Sequence, residues 1–223
     1  MVLASDLPIE IQTAANPTAA VIWLHGLGAD GHDFAGIVPE LNLPAAAAVR
    51  FVFPHAPLRP VTLNAGFVMR AWYDIAAGER GFVQDAAHLD ESVKLLHGWI
   101  ERERTRGVGP GRVIVGGFSQ GGTVALHGAL RFPERLAGAV VLSAPVPHVE
   151  ELLRVSSRAN ADLPVFIAHG TRDPMVPFAY GESVSARLRA QSYPVEWHAY
   201  DVEHGVTLEE IQDIGRFLTR VLL

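Results

Sequence analysis

The stretch VIVGGFSQGG, residues 113–122 of this 223-residue chain, carries the strongest local signal for both fold and chemistry. Val113 to Val115 are typical of a buried strand, and helical spacing follows as far as Arg131. Between them, GFSQG at 117–121 matches the G-x-S-x-G pattern of a tight turn from a strand into a helix. Such a turn needs glycines because any bulk there would collide with neighbouring backbone. The stretch therefore predicts an exposed serine nucleophile, Ser119, at the end of a buried strand.

Short apolar runs of the same kind recur along the chain and alternate with helical stretches. They predict strands from Ala20 to Leu24, Val49 to Phe53, Ala139 to Leu142, Val165 to Ala168 and Val195 to Tyr200, with an edge strand near Ile9 to Thr13. Helices are predicted from Ala86 to Ile100, by apolar spacings of three and four, and from Thr207, which forms a capping box with Glu210. The alternation predicts an α/β fold, with a mainly parallel central sheet covered by helices on both faces.

Domain organisation follows from the absence of any break in composition. We expect residues 1–223 to form a single domain. Only about 20 residues separate Ala144 from Val165, enough for one short helix near Val149 to Val155. A large cap domain over the strand ends is therefore not expected, and the site should be open.

Composition excludes several classes of function. The chain has no cysteine, which excludes a disulfide scaffold, a Cys-ligated metal and a Cys nucleophile. A net charge of −6 disfavours binding to a nucleic-acid backbone. The first Lys or Arg is Arg50, so the positive region of a secretory signal is lacking, and no apolar run approaches the ~20 residues of a membrane helix. We expect a cytoplasmic protein without stable membrane insertion.

As a nucleophile, Ser119 needs a histidine base and an acid that orients it. After a turn of the G-x-S-x-G type, the order along the chain should be Ser, then Asp or Glu, then His. Asp173 follows the strand predicted to end at Ala168, and His204 precedes the helix predicted from Thr207. Both should therefore lie on loops at the carboxyl edge of the sheet. His169 precedes Asp173 and breaks the order, and Asp201 is only three residues from His204. Ser119, Asp173 and His204 are the predicted triad.

Acyl transfer to Ser119 needs hydrogen-bond donors for the carbonyl oxygen that becomes negative, the oxyanion. We expect two backbone N–H groups to supply them, one from Gln120 and one from Leu27 in the loop after the strand ending at Leu24. That loop also matches the dinucleotide pattern G-x-G-x-x-G at 26–31. No Asp or Glu occurs between Glu40 and Asp74 to hold a ribose, so no cofactor is expected. Asp30, His32 and Asp33 lack an accompanying ligand motif, and no metal is expected.

A stretch from Pro54 to Gly81 has weak periodicity and is rich in apolar and aromatic residues, which favours a functional loop. We expect its side chains to line an acyl groove, together with one residue beside the predicted acid. These residues are Leu58, Leu63, Phe67, Met69, Trp72 and Val176. The alternative is that they are buried in a second core.

Seven motifs together resemble the bacterial carboxylesterase and acyl-protein thioesterase family of α/β-hydrolases. They are HGLGADG (25–31), PHAP (54–57), VTLNAG (61–66), AWYD (71–74), GFSQGG (117–122), HGTRDPMVP (169–177) and EHGV (203–206). The resemblance implies the same triad and oxyanion residues, and hydrolysis of carboxylic esters and acyl thioesters, without metal or cofactor. Thioesterase-like members often carry an acidic residue soon after the His-Gly pair, where this chain has Val206 and Thr207. That departure favours a general esterase.

The functional hypothesis is a serine carboxylesterase acting on short to medium acyl esters through an acyl-enzyme. The alternatives are an acyl-protein thioesterase or lysophospholipase, and a non-catalytic α/β-hydrolase-fold protein that binds a small apolar ligand. The expected partner is a small-molecule ester or acyl thioester, with a homodimer left open.

Overall fold

The computed structural model describes residues 7–78 and 81–223. The N-terminal end of the chain, on which the expectation about a secretory signal partly rests, and residues 79–80 of the stretch from Pro54 to Gly81 lie outside the described residues. The strands are β1 (Ile9–Gln12), β2 (Ala19–Leu24), β3 (Val49–Phe53), β4 (Leu58–Val61), β5 (Phe67–Arg70), β6 (Ile75–Gly78), β7 (Gly81–Gln84), β8 (Val113–Phe118), β9 (Gly138–Leu142), β10 (Val165–Gly170) and β11 (Val195–Tyr200). The helices are α1 (Ala86–Thr105), α2 (Gln120–Arg131), α3 (Val149–Arg154), α4 (Ala179–Ala190) and α5 (Leu208–Leu222).

Seven of these strands form one sheet in the order β1-β3-β2-β8-β9-β10-β11. Only β1 is antiparallel to its neighbour, β3, and the other pairings are parallel. The side chains of β2, β3, β8, β9 and β10 are all buried, as continuous apolar runs predict for parallel strands covered on both faces. The predicted α/β architecture is confirmed.

Helices cover the two faces of the sheet unequally. Buried residues of α1, α2, α3 and α4 join one apolar cluster, and those of α5 join the other together with the turns around Phe34 to Leu41. The Thr207 side chain accepts a hydrogen bond from the Glu210 N–H at 3.1 Å, so α5 begins where the capping box predicts. No described helix combines the length and apolar character needed to cross a bilayer.

The region predicted as one long loop is built differently. It contains two β-hairpins, β4 with β5 and β6 with β7, which lie outside the main sheet. Asp74 links the hairpins because its carboxylate accepts from the Thr62 N–H at 2.7 Å, the Thr62 hydroxyl at 2.6 Å and the Ile75 N–H at 2.8 Å. Strands of four residues with mixed exposure leave little alternation, which explains why the sequence pattern was weak.

Candidate active site

Ser119 occupies a sharp turn between β8 and α2, with φ 54° and ψ −120°. Its N–H donates to the Leu142 carbonyl of the neighbouring strand β9 at 2.8 Å. A Cβ on Gly117 would come within 2.4 Å of the Gly121 carbonyl carbon, and one on Gly121 within 2.2 Å of the Leu24 carbonyl oxygen. Both glycines are therefore required by close backbone approach, and that approach holds Ser119 in a conformation that L-residues rarely adopt.

Asp173 and His204 meet at the same edge of the sheet. The His204 Nδ1 lies 2.7 Å from the Asp173 Oδ2, and the Asp173 side chain is fully buried. The other carboxylate oxygen accepts from the N–H groups of Met175 and Val176, each at 2.8 Å. Because a carboxylate can only accept, Nδ1 carries the proton, which leaves Nε2 of His204 free to act as a base.

Ser119 and His204 line one cavity of about 570 Å³, and Asp173 lies behind it. The His204 ring also packs on Phe118, the residue before the serine, with ring centroids 4.6 Å apart. A depression of about 640 Å³ at the opposite edge of the sheet is lined by residues such as Arg135, Glu196 and Arg220 and lacks a nucleophile. The cavity with Ser119 is therefore the candidate active site.

The two predicted oxyanion residues, Leu27 and Gln120, line the same cavity. Gln120 is the first residue of α2, where a backbone N–H has no acceptor within the helix. Leu27 follows β2, and its neighbour Gly28 has φ +78° and donates its N–H to the Arg70 carbonyl at 2.9 Å.

With this geometry in place, comparison with known proteins decides the family. The model of the phospholipase/carboxylesterase family matches residues 8–222. The chain belongs to this family. Acyl-protein thioesterase 1 of Yarrowia lipolytica is 37% identical over 217 residues, covering 94% of this chain and 95% of the relative. Acyl-protein thioesterase 1 of Mycosarcoma maydis is 32% identical over 237 residues, covering 100% and 99%.

Solved structures agree with this placement. SOBER1 of Arabidopsis thaliana superposes with a TM-score of 0.84 at 31% identity, covering 92% of this chain and 99% of that one. Acyl-protein thioesterase 2 of Zea mays gives 0.83 at 27% identity, covering 97% and 99%. The chain is a serine hydrolase of the α/β-hydrolase fold. The two sequence relatives named above are fungal and the two structural neighbours are plant proteins, so the resemblance is not specifically to a bacterial branch.

The walls of this phospholipase/carboxylesterase-family cavity contain half of the predicted groove residues. Leu63, Met69 and Val176 line it. Leu58, Phe67 and Trp72 do not, which corrects their predicted placement. Leu58 and Phe67 are 63% and 69% exposed at the ends of the β4–β5 hairpin, and Trp72 is only 1% exposed because it is bonded into the core.

Several further wall residues escaped sequence reasoning. Ile75, Phe82 and Met175 line the cavity. The first two lie on the β6–β7 hairpin, whose pairing leaves no clear alternation in the sequence. Met175 could have been found from its position between Asp173 and Val176. Of the described residues that line the cavity, none is Lys or Arg, and Asp33 is the acidic side chain among them.

A second histidine supports the predicted acid. His169 is fully buried, its Nε2 donates to the Val176 carbonyl at 2.9 Å, and the same nitrogen lies 3.5 Å from the Asp173 Oδ2. Burial lowers the pKa of His169, which favours the neutral ring. His169 therefore holds the turn that positions Asp173, and its burial keeps it away from the cavity.

The rival cofactor and metal interpretations find no support in the loop itself. Residues 26–31 lead into turns rather than an α-helix, so no helix N-terminus is presented to a pyrophosphate. Asp30 accepts from the N–H and Nδ1 of His32 within the loop, at 2.8 and 2.9 Å. Within residues 7–78 and 81–223, no three His, Asp or Glu side chains are arranged to hold a metal ion.

Proposed function

We propose that this chain is an acyl thioesterase that also hydrolyses carboxylic esters, with Ser119 as nucleophile, His204 as base and Asp173 as orienting acid. The observation that carries the proposal is the 2.7 Å contact between His204 and the buried Asp173, made at the wall of the cavity that also contains Ser119. The names of the relatives support the thioesterase activity over the general esterase favoured by Val206 and Thr207.

In the proposed reaction, the Ser119 hydroxyl oxygen attacks the acyl carbonyl carbon while His204 Nε2 takes the hydroxyl proton. The oxygen that becomes negative accepts from the N–H groups of Leu27 and Gln120. The tetrahedral intermediate collapses, and the leaving thiolate or alkoxide receives the proton from His204. Water then attacks the acyl-enzyme by the same route and releases the free acid and the Ser119 hydroxyl. Asp173 holds the imidazole tautomer throughout and stabilises the imidazolium.

The cavity wall favours an apolar acyl chain and disfavours a leaving group that carries phosphate. Its apolar side chains include those of Leu63, Met69, Ile75, Phe82, Met175 and Val176. Asp33 adds negative charge, and burial together with Asp30 raises its pKa. Because no described Lys or Arg lines the wall, a phosphate or a nucleoside diphosphate would find no positively charged side chain there. A neutral or cationic thiol or alcohol is therefore the preferred leaving group.

Fluorophosphonate labelling and a substrate panel test the proposal. Wild-type protein should be labelled once, and Ser119→Ala should abolish labelling and lower kcat by about 10⁴ to 10⁶. The panel compares an S-acylated peptide, nitrophenyl esters of rising chain length, a lysophospholipid and an acyl-CoA. Full activity of Ser119→Ala would refute the nucleophile. Turnover of nitrophenyl esters without the S-acylated peptide would support the general carboxylesterase instead, and binding without turnover the ligand-binding alternative.

A further inference from the structure

Trp72 is fully buried, and each of its polar groups has a partner. The backbone N–H donates to the Gln120 Oε1 at 2.7 Å, and the indole Nε1–H donates to the His25 carbonyl at 2.9 Å. Its carbonyl accepts from the Ser92 hydroxyl. Trp23, which is equally buried, has an indole N–H with no partner among the described residues. The fold thus tolerates an unbonded indole, so the bonding of Trp72 needs a separate reason.

Two of the three partners of Trp72, Gln120 and His25, belong to the two segments that supply the proposed oxyanion donors. Gln120 itself carries one backbone N–H, and His25 lies two residues before Leu27, which carries the other. Trp72 therefore makes one hydrogen bond to each side of the site. These segments come from different strand ends, β8 and β2, and are adjacent only in the folded protein.

Further bonds tighten both connections. The Gln120 Nε2 donates to the Tyr73 carbonyl at 2.7 Å, so the amide binds the backbone on both sides of the Trp72–Tyr73 peptide. The His25 ring donates from Nδ1 to the Gly26 carbonyl at 2.7 Å and accepts the Ala56 N–H on Nε2 at 3.0 Å. Burial lowers the pKa of His25 to about 4, which keeps Nε2 an acceptor at neutral pH.

We infer that Trp72 is a positioning residue that sets the spacing between the Leu27 and Gln120 N–H groups. This inference rests on the proposed function, since it concerns the donors for that reaction. An oxyanion hole acts through preorganised donors about 2.7 to 3.1 Å from the developing charge. A displacement of about 1 Å can cost on the order of 10² in rate. Loss of the hydrogen bond from the Trp72 indole N–H to the His25 carbonyl would loosen the Leu27 side of the hole.

Trp72→Phe removes the indole N–H and leaves the backbone bonds to Gln120 and Ser92 in place. We expect kcat for a nitrophenyl ester to fall about 10- to 100-fold with KM nearly unchanged, because the donors act in the transition state. Affinity for a trifluoromethyl ketone, which forms an oxyanion on the serine, should fall in parallel. Trp23→Phe is the matched control, since it makes the same change where the N–H has no partner, and it should keep kcat within about twofold.

A readout independent of turnover uses the amide resonances of Leu27 and Gln120 in ¹⁵N spectra. The Leu27 resonance should shift in Trp72→Phe and not in Trp23→Phe. Equal losses of kcat in the two variants, a rise in KM alone, or an unmoved Leu27 resonance would each overturn the inference. A wild-type protein that fluorophosphonate fails to label would refute the proposed function, while the amide shifts would still decide whether Trp72 positions the loop.

Discussion

The carboxyl ends of the parallel strands and the two hairpins that face them across the cavity are held by different interactions. Strands β8 and β10, which precede Ser119 and Asp173, are buried along their whole length and paired on both sides. Strands β5 and β7 have mostly exposed or partly exposed side chains and pair only within their hairpins. Asp74 links the two hairpins to each other, and the Gln120 side chain ties the segment between them, at Trp72 and Tyr73, to the start of α2.

This difference separates the chemistry from the selection of substrate. Residues that must hold a geometry within a fraction of an ångström lie on backbone that close packing prevents from shifting. Several of the residues proposed to contact the acyl chain, such as Met69 and Phe82, lie on hairpins whose side chains are absent from the two main apolar clusters. We therefore expect substitutions at the strand ends to affect rate or folding, and substitutions on the hairpins to affect preference.

With the nucleophile intact, the largest effect on rate is expected at the strand ends, from Asp173→Asn. The amide would present a donor to His204 and favour the wrong imidazole tautomer, so kcat should fall about 10⁴-fold. Asp201→Asn removes the exposed acid that lies near His204 in sequence, and it should change kcat less than about twofold. Steady-state hydrolysis of a nitrophenyl ester measures both. Similar losses in the two variants would contradict the assignment of Asp173.

Close packing at the strand ends predicts a severe loss of stability in Gly121→Ala. The added methyl would lie 2.2 Å from the Leu24 carbonyl oxygen, which is backbone and cannot move aside. We expect a loss of about 3 kcal/mol or more in the free energy of unfolding, or failure to fold. Gly98→Ala, in α1 with open space around the new methyl, should be neutral or stabilising by about 0.5 to 1 kcal/mol. Urea denaturation compares them, and equal midpoints would show that the elbow can relax.

The free energy of unfolding should also depend on pH through Glu210, in the first turn of α5, the helix that follows His204. The Oε1 of Glu210 has no hydrogen-bond partner among the described residues. Burial raises the pKa of Glu210 to about 8, above the ordinary value of 4.5. A raised carboxyl pKa contributes stability that is lost as pH rises from about 4.5 through 8. Burial lowers the pKa values of His25 and His127 to about 4, below the ordinary value of 6.5. These histidines therefore make the free energy of unfolding rise with pH between about 4 and 6.5 and leave it unchanged above that range.

Between pH 6.5 and 8 the free energy of unfolding should therefore fall by up to about 1.4 kcal/mol per pH unit. Glu210→Gln should remove this dependence, because the neutral amide does not titrate. Glu209→Gln, at the exposed neighbouring position, makes the same change in charge and should keep the slope. Thermal or urea unfolding at several pH values measures it. A slope that survives in Glu210→Gln would assign it to another group.

The smallest effect is expected on the hairpins, from Phe82→Ala. Phe82 lines the cavity, so its loss should lower kcat/KM for an octanoyl ester about 3- to 10-fold relative to an acetyl ester. Phe67→Ala removes a similar ring from a position outside the cavity and should leave the ratio unchanged. A fall in kcat for the acetyl ester in Phe82→Ala would show that the hairpins also take part in the chemistry.

Prediction from the sequence succeeded where a residue's role depends on its immediate neighbours. The runs at Val49–Phe53 and Val195–Tyr200 match the observed strands at both ends, and Thr207 caps α5 as its spacing with Glu210 indicates. The chain order of Ser119, Asp173 and His204 placed all three at one sheet edge. The residues of the acyl groove were harder to predict, because Leu63 and Trp72 belong to the same apolar stretch, yet Leu63 lines the cavity and Trp72 is buried in the core.

By itself, the sequence determined the alternation of strands and helices, the glycines of the Ser119 turn and the side of the sheet on which the polar residues gather. These depend on hydrophobic periodicity and steric demands that act over a few residues. Only the tertiary structure decided that β4 to β7 form two hairpins and that Trp72 lies in the core. Trp72 and Gln120 are 48 positions apart, and their hydrogen bond exists because packing brings two distant backbone segments together, which local pattern does not encode.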